Sequence, residues 1–153
     1  MDVPINEVDP NSSIILVQMK TGSDRLRNYD ARGTFLSGNL IRLELSDAYN
    51  HISSWLSWQV IEFHNVKSKQ EGIYFFSAGG YGANDSFADI PINTVDPTKC
   101  LLITTYVLNY AGGGLNEFIR SVPYTCHLKD ENTLTASAYS LYSGMQWQLL
   151  EFN

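Results

Sequence analysis

Hydrophobic and polar residues alternate along several short stretches of this chain. Ile41, Leu43 and Leu45 are separated by Arg42 and Glu44, the period of two of a strand with one buried face. Val122, Tyr124, Cys126 and Leu128 alternate in the same way with Pro123, Thr125 and His127 and echo that pattern. Allowing one gap, Cys126 corresponds to Leu43. Other stretches, such as Ile14 to Val17, are apolar on both faces and predict strands covered on each side. The pattern places strands over 13–20, 40–45, 53–63, 73–76, 86–92, 99–110, 122–128, 134–142 and 146–152. A short strand is expected at 34–36 and an extended entry over 2–9, while 21–33 reads as loop or weak strand. Asp9-Pro10-Asn11 and Ser37-Gly38-Asn39 are turn signals, and 78–85 is a glycine-rich hairpin loop. No window supports a long amphipathic helix; Leu115 to Ile119 makes one turn at most. The expected class is all-β, and short strands at roughly ten-residue spacing indicate a sandwich.

One hexapeptide occurs twice. Trp58-Gln59-Val60-Ile61-Glu62-Phe63 returns as Trp147-Gln148-Leu149-Leu150-Glu151-Phe152, with only aliphatic exchanges. Upstream of each copy stand Pro4-Ile5-Asn6-Glu7-Val8-Asp9-Pro10 and Pro91-Ile92-Asn93-Thr94-Val95-Asp96-Pro97. The separations are 87 residues for Pro10 to Pro97 and 89 for Trp58 to Trp147. Two anchors in the same order and at nearly the same spacing imply a tandem duplication. The expected organisation is two tandem, similar antiparallel β-sandwich modules, 1–64 and 65–153. The first lacks the leading strand that 72–77 supplies to the second, so its sheet is shorter or takes a strand from elsewhere, a neighbouring subunit included. The polar segment 64–72 is the candidate linker. In the signature strand Trp58 and Val60 share one face while Ile61 and Phe63 lie on the other. Such a strand has apolar residues to spare, which a second layer or another subunit should cover. Ile61, Phe63, Leu150 and Phe152 are therefore the candidate subunit-interface residues.

Composition narrows the functions. Apolar residues make up 44% of the 153 and charged residues 17%, which excludes a disordered, highly charged chain. The net charge of −6 argues against nucleic acid, which needs clustered Lys and Arg. The nearest approaches to a cluster, Lys67-Ser68-Lys69 and Arg25 with Arg27, read as solvated surface. The start Met1-Asp2-Val3-Pro4 does not look like a signal peptide, and no stretch approaches the ~20 apolar residues of a membrane span. His51, His64 and His127 have no metal-ligand spacing with Cys or acids, so no metal and no cofactor are expected. His127 falls on the outward face of its strand. Glu62 and Glu151 occupy equivalent places and could suggest paired carboxylates, but a repeated structural strand explains them more simply, with each glutamate bonding a neighbouring turn. No catalytic motif is present and no enzyme is expected. Cys100 and Cys126 read as core thiols, with a disulfide between neighbouring strands left open.

The order of features in 65–153 resembles a known module. A strand and glycine-rich hairpin lead into Ile92-Asn93-Thr94-Val95-Asp96-Pro97-Thr98-Lys99. A strand ending in Leu128-Lys129-Asp130-Glu131-Asn132-Thr133-Leu134 follows, then the closing Trp-Gln-aliphatic-aliphatic-Glu-Phe strand. This is similar to a repeat module common in structural proteins of tailed bacteriophages, encoded among tail-fibre or other virion-surface genes. More distantly it resembles the six-stranded sandwich of H-type lectins, whose subunits associate as trimers. The match covers 65–153 well and 2–63 without its first strand; Val8-Asp9-Pro10-Asn11-Ser12 lacks the lysine of the later turn. The resemblance implies a virion structural protein, made in the host cytoplasm, that forms a homotrimer and decorates or extends the particle surface. Its partners would be itself and other capsid or tail proteins, with head, tail and fibre all open. The alternative it implies is recognition of surface glycans or a host receptor. Tyr81, Tyr110 and Tyr142, at or near loops, are then the candidate ligand contacts, because aromatic faces stack on sugars.

Overall fold

The computed structural model describes residues 1–21, 29–47, 54–76, 86–108, 124–138 and 143–153. Within them run β1 (Asp2–Pro4), β2 (Ser13–Thr21), β3 (Tyr29–Ser37), β4 (Leu40–Asp47), β5 (Ser54–Glu62) and β6 (Val66–Phe75). The later strands are β7 (Ser86–Pro91), β8 (Cys100–Leu108), β9 (Tyr124–Asp130), β10 (Thr133–Ala138) and β11 (Ser143–Phe152). β8 is entered through one 3₁₀ turn, Pro97–Lys99, whose N-cap Asp96 accepts from the Thr98 N–H. Among the described residues there is no α-helix, and the chain is all-β. The glycine-rich loop at 78–85 and the helical turn read at 115–119 lie outside the described residues.

The strands pair antiparallel in sheets ordered β1-β4-β3, β2-β5, β7-β10-β9 and β6-β11-β8. One apolar cluster of Ile15, Ile41 and Leu43, with Val3, Val17, Phe35, Leu56 and Val60 around it, joins β1-β4-β3 to β2-β5. A second, built on Ile90, Leu134, Ala136, Met145, Trp147 and Leu149, joins β7-β10-β9 to β6-β11-β8. Each cluster therefore lies between two sheets in a sandwich-like arrangement, with inward residues at every second position.

The pairing repeats as the sequence does. Ser13 faces Glu62 and Val17 faces Trp58 in one ladder; Cys100 faces Glu151 and Thr104 faces Trp147 in the other. The β3–β4 ladder shifts register between Phe35 and Ser37, and the β9–β10 ladder shifts at the matching place, between Thr133 and Leu134. Ile5 N–H donates to Asn39 O and Val8 N–H to Gly38 O; Ile92 N–H and Val95 N–H donate likewise to Asn132 O and Glu131 O. β9 thus answers β3, and β10 answers β4.

That alignment corrects the position of Cys126. Cys126 pairs with Ala136 as Gly33 pairs with Leu43, so its counterpart is Gly33, not Leu43. The exchange has a packing reason: a Cβ on Gly33 would come within 2.5 Å of Ile15 Cγ2, whereas β9 leaves room for a side chain. Cys100 and Cys126 are both free thiols. Burial pushes the Cys126 thiol up to about 11, so it stays protonated and packs as a small apolar group.

The segment 64–72 is also corrected. It is not a linker: all but His64 and Asn65 belongs to β6, which pairs with β11 from Val66 to Phe75. The break between β5 and β6 is made by Asn65, which alone among the described non-glycine residues has a positive φ, at 62°. Its carbonyl accepts from the Asn153 N–H and Nδ2, tying the bend to the far end of β11. Likewise β3 begins at Tyr29, inside the stretch read as loop or weak strand.

A candidate assembly surface

The two copies of the hexapeptide meet very different surroundings. β11 is flanked by β6 on one side and β8 on the other, and every residue from Met145 to Glu151 is buried. β5 has β2 on one side and, among the described residues, no strand on the other. Ser57, Trp58 and Gln59 are exposed, and Ile61 is half-buried.

The tryptophans show what β6 contributes. Trp147 is 7% exposed and Trp58 36%. Opposite Trp147 stands Gly72, where a Cβ would lie 2.9 Å from the indole ring. The bare backbone of β6 thus forms the wall against which Trp147 lies. Among the described residues no such wall stands beside Trp58, which is 36% exposed.

The outer face of β11, the one turned away from its own core, carries Gln146, Gln148 and Leu150. It lies against the earlier half of the chain. Gln148 Oε1 accepts from Ile15 N–H at 3.4 Å and its Nε2 donates to Ile15 O at 3.3 Å. In an antiparallel ladder every second residue turns its N–H and C=O away from its partner strand, and Ile15 does so relative to β5. The carboxamide, itself 3% exposed, supplies both hydrogen bonds that another strand would have made. Gln146 Nε2 donates to Gly33 O at 3.2 Å. Lys69 on β6 extends the same contact: its Nζ donates to Pro10 O at 3.1 Å, pairs with Glu71 at 2.9 Å and lies 5.0 Å from the Phe35 ring centroid. The Lys69 side chain is 7% exposed, so the reading of Lys67-Ser68-Lys69 as solvated surface is corrected there. A lysine stem fills the gap between the halves, and its charged end finds oxygen atoms within it.

The interface candidates divide on this geometry. Leu150 is 0% exposed within the single chain and has no surface to offer a second subunit. Phe63 and Phe152 meet each other edge to face, with centroids 5.9 Å apart, and are half-buried. Ile61 is half-buried on the face it shares with the exposed Ser57 and Gln59. Tyr81, Tyr110 and Tyr142 lie outside the described residues.

Glu62 and Glu151 serve their turns, as the repeat suggests. Glu62 Oε1 accepts from Asp9 N–H at 2.8 Å, and Glu151 Oε1 from Asp96 N–H at 3.0 Å. Glu151 is buried and also takes Lys67 Nζ at 2.8 Å and Ser68 Oγ at 3.1 Å. The Lys67 ammonium first, and the Asp96 N–H second, hold its carboxyl below the ordinary 4.5. The folded chain therefore keeps Glu151 ionised where the unfolded chain protonates it. The stability this gives is present in full above that ordinary value and is lost as pH falls through the lower folded-state value. Glu151→Gln should flatten this acid limb. Urea midpoints followed from about pH 6 to about pH 3 will fall less steeply in the variant; equal slopes would remove Glu151 from the account.

Among the described residues no group of His, Cys, Asp and Glu could hold a metal ion, and no helix is long and apolar enough to cross a membrane. His127 is exposed, as its strand face implies. No family model, no curated protein and no solved structure matches this chain.

Proposed function

We propose that the chain is two tandem, similar antiparallel β-sandwich modules, 1–64 and 65–153, and that it is a bacteriophage virion structural protein. It assembles as a homotrimer and decorates or extends the particle surface, as a capsid decoration protein or a tail or fibre component. The repeated sheet orders, registers and turn hydrogen bonds support the duplication. The resemblance of 65–153 to phage structural modules supports the setting. One observation carries the assembly: the closing strand β11 is buried from Met145 to Glu151, while its twin β5 has, among the described residues, an open edge, an exposed face and a 36% exposed tryptophan. Open strand edges and apolar flanks invite pairing unless a partner covers them. A closed cyclic oligomer covers them without leaving a free end.

The work of such a protein is mechanical, with binding spread over a broad interface and no catalytic residue in the scheme. The lectin-like alternative rests on Tyr81, Tyr110 and Tyr142, and no observation among the described residues favours it. Light scattering on the purified chain at micromolar concentration should give three times the chain mass, and imaging of intact particles should find the protein on their surface. A stable monomer that particles never carry would overturn the reading.

A further inference from the structure

The contact between the two halves of the chain is not self-complementary. The later half offers the outer face of β11, led by Gln148; the earlier half offers the outer edge of β2, at Ile15, with Gly33 of β3 beside it. By the repeat, the earlier half owns a second such face and the later half a second such edge. The face is that of β5, where Gln59 stands in the place of Gln148, and it is exposed. The edge is that of β8, where Leu102 pairs with Leu149 as Ile15 pairs with Val60. The same register turns the N–H and C=O of Leu102 outward, and among the described residues no strand pairs with that side of β8.

We propose that this contact is made again between chains. The β5 face of one copy seats on the outer edge of β8 in a second copy, with the Gln59 carboxamide on the N–H and C=O of Leu102. The inference rests on the two-module reading above and names the surfaces by which it assembles. The occupant of the β5 face is then a second copy of this chain, because the chain already contains the mate of that face, shown in use at Gln148.

The phenylalanine pair bears on how such contacts propagate. Phe63 and Phe152 are equivalent residues of the repeat, yet they touch. When one unit is carried onto the next, a residue touching its own image must sit close to the rotation axis. The step along that axis cannot exceed the 5.9 Å between the rings. Unlike surfaces joined by rotation with so small a rise close into a ring when the rotation divides a full turn, as in the proposed trimer of two-module chains. Phe63 and Phe152 of every copy then line its axis, which is the work that the exposed parts of both rings are left to do.

Hydrogen exchange on the full chain, read with light scattering across a concentration series, tests this. Protection should rise together in the β5 and β8 segments as the wild type assembles. Gln59→Ala should weaken association about tenfold, from two lost hydrogen bonds per junction, and remove the protection at Leu102. Gln59→Lys, which places a charge against the edge, should abolish association. In both variants the segment around Ile15, held by Gln148 within the chain, should exchange as in the wild type. If the wild type assembles but both variants assemble equally well with Leu102 unprotected, this interface is wrong and the assembly reading stands. If the wild type stays monomeric throughout the series, both fall.

Discussion

Leu150→Ala is expected to lower the free energy of unfolding by about 3 kcal/mol, whereas Ile61→Ala should cost about 1 kcal/mol or less. The two residues hold the same place in the repeated hexapeptide and face equivalent partners, Leu101 and Ile14. Chemistry and register are matched, so the difference between them isolates burial. Leu150 is 0% exposed, and removing its three terminal carbons leaves a cavity in the face of β11 from which Gln148 bonds Ile15. Ile61 is half-buried, so water already reaches part of the space it would vacate. Guanidinium unfolding of the two variants, at protein concentrations low enough to hold the chain monomeric, measures both. Equal losses would mean that the two closing strands are covered alike, and the open surface on β5 would not exist. At concentrations that favour assembly the Ile61→Ala loss should grow, because a second copy then roofs that position.

The all-β class and the repeat were legible because both are carried by local signals. Strand alternation needs only neighbours in sequence, and the Trp-Gln-aliphatic-aliphatic-Glu-Phe copies need only comparison within the chain. The role of Glu62 and Glu151 could be read as well, since a strand-end carboxylate beside an Asp-Pro turn has few other partners to reach. Segment 64–72 was misread for a physical reason. Polarity is ordinarily a sign of water, but the four polar side chains of β6 from Lys67 to Gln70 each have a protein partner far away in sequence. Lys67 and Ser68 bond Glu151, Lys69 bonds Pro10, and the Gln70 carboxamide exchanges two hydrogen bonds with the backbone of Asn93. A strand built of such residues carries no hydrophobic period. Cys126 was misaligned because alternation is shared by every half-buried strand, so it shows that a strand exists without showing which strand it repeats. Only pairing, Cys126 with Ala136 and Gly33 with Leu43, resolves that.

Nothing in the two identical glutamines could have told them apart from sequence. Gln59 and Gln148 differ only in what lies over them, a property of how the halves dock. Gln148→Leu should therefore be expensive, about 2 to 4 kcal/mol, although it places an apolar group in a buried site. Leucine fills much the same volume but leaves Ile15 with an unpaired N–H and an unpaired C=O, both shut away from water. Gln59→Leu should be near neutral in the monomer, because the exposed carboxamide exchanges its water for nothing. Gln148→Glu separates the two bonds: its carboxylate still accepts from Ile15 N–H but faces Ile15 O with no hydrogen to donate, and the charge is buried. It should be at least as costly as leucine at neutral pH and recover part of the loss in acid, where a protonated glutamate donates again. That recovery opposes the acid loss set by Glu151, so it is read against wild type at each pH. A glutamate variant with the same pH profile as wild type would mean that the carboxamide is not what joins the two halves.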